Sequence, residues 1–500
     1  MDSIVTVLLC TSIVFILCYI YSRQNLKYWK RRNVAYAEPV PLFGNAYPVL
    51  SQNQSLGKFL SHMHNSTKHS YMGFYLLESP NLLIRDYNVL RNILLKDFEY
   101  FTDRSVLHNT NDEYARHLLF MLPGKEWKGL RKEVTPVFSL EKLKGKVSLI
   151  GEIANNLVEY IDKVIVNDRI DCVEVSTRYG IDSIASCFFG LSGDCLKQEN
   201  SELYSMCTKF FDHTSTLRAV QMVSHFTIPS VAKLMHMKFL HPKASEFVDK
   251  IVTDAIDKRI KEQSVREDVI DVLVNIQQRE QGDAFDHKKL PVVAIQFVIG
   301  GYQASAGAVT FLLYELSKNQ FIQTRLREEI ISVHEKYQEF SSESIKDMQY
   351  LDMVVKETLR KYPLLPFMDR RCVKSYKVPD ENLIIEKGVG VFVSIYGLHH
   401  DPNNFPDPEN FDPERFSIEN KASIPPGAFM PFGYGMRNCM GTTFTYLSVK
   451  MAVIKIITTY QIDKSSETPD TLQLADNWLF IAPKSPNLFL NFKKLISRPT

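Results

Sequence analysis

Cys439 stands in the stretch Phe432-Gly433-Tyr434-Gly435-Met436-Arg437-Asn438-Cys439-Met440-Gly441. Five specified positions in this order should arise by chance in roughly one chain in ten thousand of this length, so an ordinary buried cysteine in a glycine turn explains the stretch poorly. A thiolate is a strong donor to iron and favours cleavage of the O–O bond. Gly435 and Gly441 allow a tight loop whose backbone N–H groups approach the sulfur and tune its donor strength. The stretch therefore reads as a loop that gives a thiolate to a haem iron. On that reading Arg437 can pair with a haem propionate through a two-pronged ionic hydrogen bond, and Phe432 can cover the sulfur side of the ring.

Three further segments carry the same signal in order: Trp127-Lys128-Gly129-Leu130-Arg131, Glu357-Thr358-Leu359-Arg360 and Phe411-Asp412-Pro413-Glu414-Arg415-Phe416. Together with the cysteine loop they make the chain resemble the cytochromes P450 over nearly its whole length. It is most similar to microsomal enzymes of the insect detoxification and vertebrate drug-metabolising group. Trp127 and Arg131 are four apart, hence on one helix face where both can reach one ligand; the resemblance implies a haem propionate. It implies further propionate contacts for Arg104, in Phe101-Thr102-Asp103-Arg104, and for Arg370, with Arg371 as a competitor. Glu357 and Arg360 are three apart on a helix ending before Pro363 and can form an ion pair. The resemblance implies that this pair is buried and joined by Arg415.

The residues that must face Cys439 belong to a charge-free run, Leu290 to Tyr314, long enough to span a bilayer. Gln296, Gln303, Ser305 and Thr310 interrupt it, and Gly300, Gly301, Ala304, Ala306, Gly307 and Ala308 make it small-residue rich. Apolar all round, it suits a buried central helix. The resemblance implies the helix that crosses the distal face of the haem. Most members carry small-Gly-x-acid-Thr there, and the acid and alcohol help deliver protons to oxygen. Here Gln303 stands at the acid position and Ala304 at the threonine position. Glutamine can hold a water but cannot release a proton near neutral pH, and alanine has no hydroxyl. Ser305 offers an alcohol one residue later, about 100° round the helix. Three accounts remain open: an ordered water replaces the alcohol; the substrate supplies a hydroxyl or the reaction needs no dioxygen, as in peroxide rearrangement; or the protein binds haem and turns over poorly.

Around these residues the sequence predicts a mainly α, helix-rich α+β body with small sheets. Helical periodicity runs through Ser139–Val166, Ala244–Val274, Leu290–Asn319 and Gly441–Tyr460, and strand alternation through Leu76–Arg85, Leu383–Val393 and Leu488–Phe492. The helix from Gly441 would aim its positive end at the thiolate. With 500 residues, 45% of them hydrophobic, the chain can bury a large core. Length alone would suggest about three domains, but the resemblance implies one catalytic body. A net charge of +2 and the lack of a basic tract with interleaved aromatics argue against nucleic acid. Eight cysteines without paired CxxC spacing suit a reducing, cytosol-facing compartment better than a disulfide scaffold. His399 and His400 beside Asp401 lack a third ligand for a metal role.

Ile4 to Tyr21 is free of charge and is followed by Arg23, Lys27, Lys30, Arg31 and Arg32. That reads as a membrane anchor over 1–22 with its basic flank on the cytosolic side; a cleaved signal peptide is the competing reading, but the apolar run is long and no small-x-small cleavage pattern follows it. A basic, proline-containing linker would follow over 23–48 and the catalytic domain over 49–500. The expected location is the endoplasmic reticulum membrane, with the catalytic domain facing the cytosol. Substrate selectivity is expected from Ser105–Leu122, Phe210–Met237, Gln296–Ala304, Leu364–Met368 and Trp478–Phe480, which are largely apolar and suit lipophilic small molecules. Val223–Pro229 and Leu234-Met235 can dip into the lipid.

The resemblance implies a monooxygenase with haem as cofactor and NADPH acting indirectly, through NADPH-cytochrome P450 reductase. Cytochrome b5 is a second candidate donor. No nucleotide-binding glycine loop follows the cysteine segment, so the reductase is expected as a separate protein. Lys128, Lys132, Lys142, Lys144 and Lys146 are candidates for its docking. The competing class is a haem-thiolate protein that rearranges peroxides or sequesters ligands.

Overall fold

The computed structural model describes residues 2–105, 111–210, 212, 214–279 and 289–495. Its first helix, α1 (Asp2–Asn25), is apolar through Tyr21, and large side chains such as Ile4, Leu9 and Leu17 lie exposed along it. Past α1 the chain is laid against the body. Trp29 is fully buried over Gly73, where an added Cβ would sit 2.4 Å from the indole. The indole N–H donates to the Phe74 carbonyl at 3.2 Å. The segment read as a linker thus has packed contacts at its centre.

Five helices frame the site. α2 (Gly124–Val134) carries the Trp127–Arg131 pair. α3 (Cys172–Phe189) starts where Asp171 accepts a hydrogen bond from the Val173 N–H, and ends at Gly190 in the left-handed region. α4 (Lys289–Lys318) is the charge-free run, now a 30-residue helix of about 45 Å. Two thirds of its apolar window (67%) lies inside the protein, so α4 is a core helix. Its close partner is α3: an added Cβ at Gly301 would meet Ile184 at 2.1 Å, and one at Gly180 the Tyr302 carbonyl at 2.9 Å. Small residues therefore set the α3–α4 approach. α5 (Gln349–Lys361) holds Glu357 and Arg360, and α6 (Thr442–Thr459) follows the cysteine loop directly.

β1 (Tyr71–Leu76), β2 (Ser79–Ile84), β3 (Phe367–Arg371) and β4 (Gly390–Ser394) form one sheet in the order β1-β2-β4-β3, with β2 and β4 parallel and the other pairs antiparallel. A three-stranded sheet joins Arg169–Asp171, Phe489–Lys494 and Tyr460–Lys464. A two-stranded one pairs Tyr376–Lys377 with Ile384–Ile385.

Several predicted boundaries are corrected. The Ser139–Val166 pattern is two helices, Leu140–Lys144 and Val147–Val164, parted by Gly145-Lys146. Ala244–Val274 splits into Pro242–Glu262 and Val269–Arg279 at Gln263, whose φ of 50° ends the first helix. Leu76–Arg85 hides a hairpin turn at Leu77, φ 51°. Leu383–Val393 turns at Gly388, φ 96°. In each case the apolar rhythm continues across the break, which periodicity cannot detect.

Candidate functional site

Cys439 lies in a loop built by its own backbone. Its N–H donates to the Phe432 carbonyl at 2.9 Å, Asn438 N–H to Gly435 at 3.1 Å, and Gly433 N–H to Met430 at 3.0 Å. Gly433 and Gly435 hold φ of 77° and 82°. At Gly435 an added Cβ would stand 2.2 Å from the Leu94 carbonyl oxygen, so only glycine closes the loop there. Gly441 has φ −84°, and an added Cβ would sit 3.8 Å from the Cys439 sulfur. The loop's left-handed positions are thus 433 and 435, whereas Gly441 contributes its N–H toward the sulfur. The accessible surface of Cys439 opens onto a cavity, with protein packed around the sulfur. That burial pushes the thiol up, opposed by the Gly441 N–H, the Arg131 charge and Thr442.

Around the loop stands a group of cations. Arg131 donates to the Asn438 carbonyl at 2.9 Å, tying α2 to the residue before the cysteine. Trp127 lies under the Arg437 guanidinium, 4.4 Å from ring centroid to carbon, and Arg437 donates to the Leu122 carbonyl at 2.8 Å. Arg104 pairs with the buried Asp369 at 3.0 Å. Arg370 is fully buried and donates to the Asp369 carbonyl at 2.7 Å. Arg371 does not line the cavity: it lies on the other face of β3, so of the two neighbours Arg370 is the inward one.

Burial, and then the Arg104 charge, drives the Arg437 pKa down to about 9. Burial, with Arg104 and Arg437 nearby, holds Arg370 well below the ordinary arginine range. The Nε atoms of Arg104, Arg370 and Arg437 are buried without a hydrogen-bond partner among the described residues. Clustered guanidiniums with spare donors call for anions. Two carboxylates on a flat apolar ring beside a cysteine meet that demand, so the residues fit a haem.

The cavity is about 360 Å³ and runs from Cys439 to α4. Gln303 and Ala304 line it together with Gln296, Gly300 and Gly301. Ser305 is fully buried outside the lining and its hydroxyl has no partner among the described residues, as expected of a residue one helical step off the face. All five predicted selectivity segments contribute walls, among them Phe120, Phe226, Phe367 and Phe480. Positions 106–110, 211 and 213 of those segments lie outside the described residues. A larger cleft of about 460 Å³ beside Arg325, Asp352 and Glu414 includes none of the candidate residues.

Two groups of residues escape sequence reasoning. Phe138, Phe188 and Phe444 line the cavity and pack as an aromatic cluster, with Phe188 4.8 Å from each of the other two rings; in sequence they look like any core aromatic. His399 is fully buried and bridges two elements, Nδ1 with the Arg360 carbonyl at 3.0 Å and Nε2 accepting from the Met430 N–H at 3.0 Å. It ties the Glu357–Arg360 helix to the start of the cysteine loop.

Comparison with known proteins agrees with this geometry. The family model described as Cytochrome P450 matches residues 35–490. The chain is 33% identical to Cytochrome P450 6k1 of Blattella germanica, over 96% of this chain and 95% of that protein. It is 35% identical to Cytochrome P450 6j1 of the same insect, over 93% of each. With Cytochrome P450 6a2 of Drosophila melanogaster it shares 32%, over 93% of this chain and 94% of the other.

Proposed function

Since the chain belongs to the cytochrome P450 family, as a haem monooxygenase of the insect xenobiotic type, we propose that it inserts one atom of dioxygen into a lipophilic small molecule held between α4 and the cysteine loop. Electrons come from NADPH through a separate reductase. What supports this reading is one shared cavity: Cys439, the cluster of arginines and the Gln303-Ala304 face of α4 all line it, and its remaining walls are mostly apolar.

Cys439 would ligate the haem iron, and Arg104, Arg370 and Arg437 would hold the propionates. Trp127 would support the Arg437 guanidinium, and Arg131 would keep Asn438, and with it the sulfur, in place. Phe432 would cover the ring on the sulfur side. When bound, the haem supplies the centre at which dioxygen is activated. The aromatic walls exclude bulk water and hold the substrate by apolar contact. Gln303 offers an amide that can hold one water, and that water passes the proton which Gln303 itself cannot release. Ala304, by lacking a side-chain alcohol, leaves room for it.

The test is to measure NADPH oxidation, oxygen uptake and product together, with reductase and an alkoxycoumarin as lipophilic probe. The expected result is product in step with oxygen consumed. Conversion with peroxide alone, or a ligand-induced spectral shift without turnover, would overturn the reading. In the same assay Gln303→Leu should lower product formation about 100-fold while NADPH oxidation continues, because the positioned water is lost. Gln303→Glu with Ala304→Thr should bring no large gain in coupling; a large gain would show that the native helix delivers protons poorly.

The exposed apolar α1 would lie in the endoplasmic reticulum membrane with the catalytic body on the cytosolic side. Of the segments read as dipping into the lipid, Val223, Phe226 and Thr227 are buried in the body, whereas Leu234 and Met235 are exposed and would meet the lipid surface. On the cysteine side, Lys128, Lys132 and Lys144 are exposed while Lys142 and Lys146 are half-buried; Lys144 pairs with Glu343 at 3.1 Å. Reversing Lys128, Lys132 and Lys142 to glutamate should cut reductase-supported turnover about tenfold at low salt, less at high salt, with peroxide-supported turnover unchanged. Equal rates for native and reversed proteins would exclude this face for the reductase. Cytochrome b5 is a second candidate for the same face.

A further inference from the structure

Gln296 and Gln303 are seven residues apart on α4, which is about two turns and 10 Å along one face. Both line the cavity. The other α4 residues that line it are Phe297, Ile299, Gly300, Gly301 and Ala304, so these two amides are the polar groups this helix presents there. Gln303 has a task at the oxygen end. Gln296 has none, yet its side-chain oxygen is buried and meets no hydrogen-bond donor among the described residues.

That arrangement works against folding. A buried amide oxygen without a donor has lost its water and gained nothing, whereas leucine of similar size would suit a cavity wall otherwise built of side chains such as Phe120, Phe210 and Phe297. Helix propensity does not favour glutamine over leucine either. A polar group kept at such a place in a cavity wall is accounted for by a ligand that completes it. An amide exchanges its oxygen and nitrogen by a half-turn at constant volume, so it can accept or donate. A hydroxyl can do both in return.

We propose that Gln296 is a specificity-determining residue, recognising a hydroxyl on an otherwise apolar substrate at a point about 10 Å along α4 from Gln303. This rests on the monooxygenase reading above and narrows its substrate class to lipophiles carrying one neutral hydrogen-bonding group remote from the position attacked. A site with an unpaired polar group rejects an analogue lacking the partner more strongly than an apolar pocket discriminates by size.

The experiment compares biphenyl with para-hydroxybiphenyl, titrated by the optical shift they cause in the haem-loaded full chain, for native protein and Gln296→Leu. The reduced carbon-monoxide spectrum of both proteins is recorded first, and melting temperatures are measured alongside. Native protein should bind the hydroxylated probe about tenfold more tightly than biphenyl. In Gln296→Leu that preference should fall to about twofold or less, with biphenyl bound at least as well and a melting temperature no lower than native. Equal preference in both proteins, or a lower melting temperature with both probes weakened alike, overturns the assignment. If the thiolate band is present and discrimination is absent, Gln296 alone is misassigned; if the native protein lacks the band, the haem reading falls and takes this one with it.

Discussion

Glu357→Ala is expected to yield little or no haem-loaded protein. Glu357 and Arg360 are both fully buried, joined by two hydrogen bonds of 2.7 and 2.8 Å. Oε1 also accepts from the Asp412 N–H at 3.0 Å and faces Arg415 at 3.5 Å. Burial pushes the carboxyl up while Arg360 opposes it, so this network is costly to bury and depends on being complete. Without the carboxylate the Arg360 guanidinium stays enclosed, left with the carbonyls of His399, Pro408 and Asn410 and the face of the Phe405 ring. Leaving one charge of a buried pair uncompensated costs roughly 3–5 kcal/mol, a large part of the 5–15 kcal/mol that holds a domain together. The damage also points at the cysteine: the Arg360 carbonyl holds His399, and His399 holds the Met430 N–H at the start of the thiolate loop. Haem per protein and thermal melting of purified Glu357→Ala check this. Normal haem content with a native melting temperature would show that the network is dispensable.

The cysteine loop was readable because its chemistry is local: sulfur, glycines and arginine lie within ten residues. Even so, the sequence could not tell which glycines take left-handed angles, and the pair proves to be 433 and 435. Glu357–Arg360 was readable from helical spacing, whereas Arg415 needed the resemblance, since its contact spans a loop. Arg131 was expected to face a ligand; its tie to Asn438 crosses more than 300 residues of sequence and leaves no periodic trace. The long α4 was legible from composition, and its burial decided between core and membrane. The lining residues Phe138, Phe188 and Phe444 were not, because nothing in an apolar pattern separates a side chain that packs from one that walls a cavity. His399 likewise announces itself only through the two backbone groups it joins.

Cys439→Ala is expected to lose the haem almost entirely. The remaining contacts can attract the propionates, but they cannot fix the iron. Disturbing a residue that merely supports a metal ligand costs 10–100-fold in affinity or activity, so removing the ligand itself should lower haem content by about tenfold or more. The fold should survive, because a small side chain replaces a small one in a loop whose bonds from Gly433, Asn438 and Cys439 run from backbone to backbone and outlast the sulfur. Far-ultraviolet circular dichroism should therefore match the native protein. The measurement that bears most directly on the account is the absorption spectrum of the reduced, carbon-monoxide-treated protein, native beside Cys439→Ala. The red-shifted band of thiolate ligation is expected in the native protein and not in the variant. A native spectrum without that band, with Cys439→Ala taking up as much haem as the native chain, would contradict it.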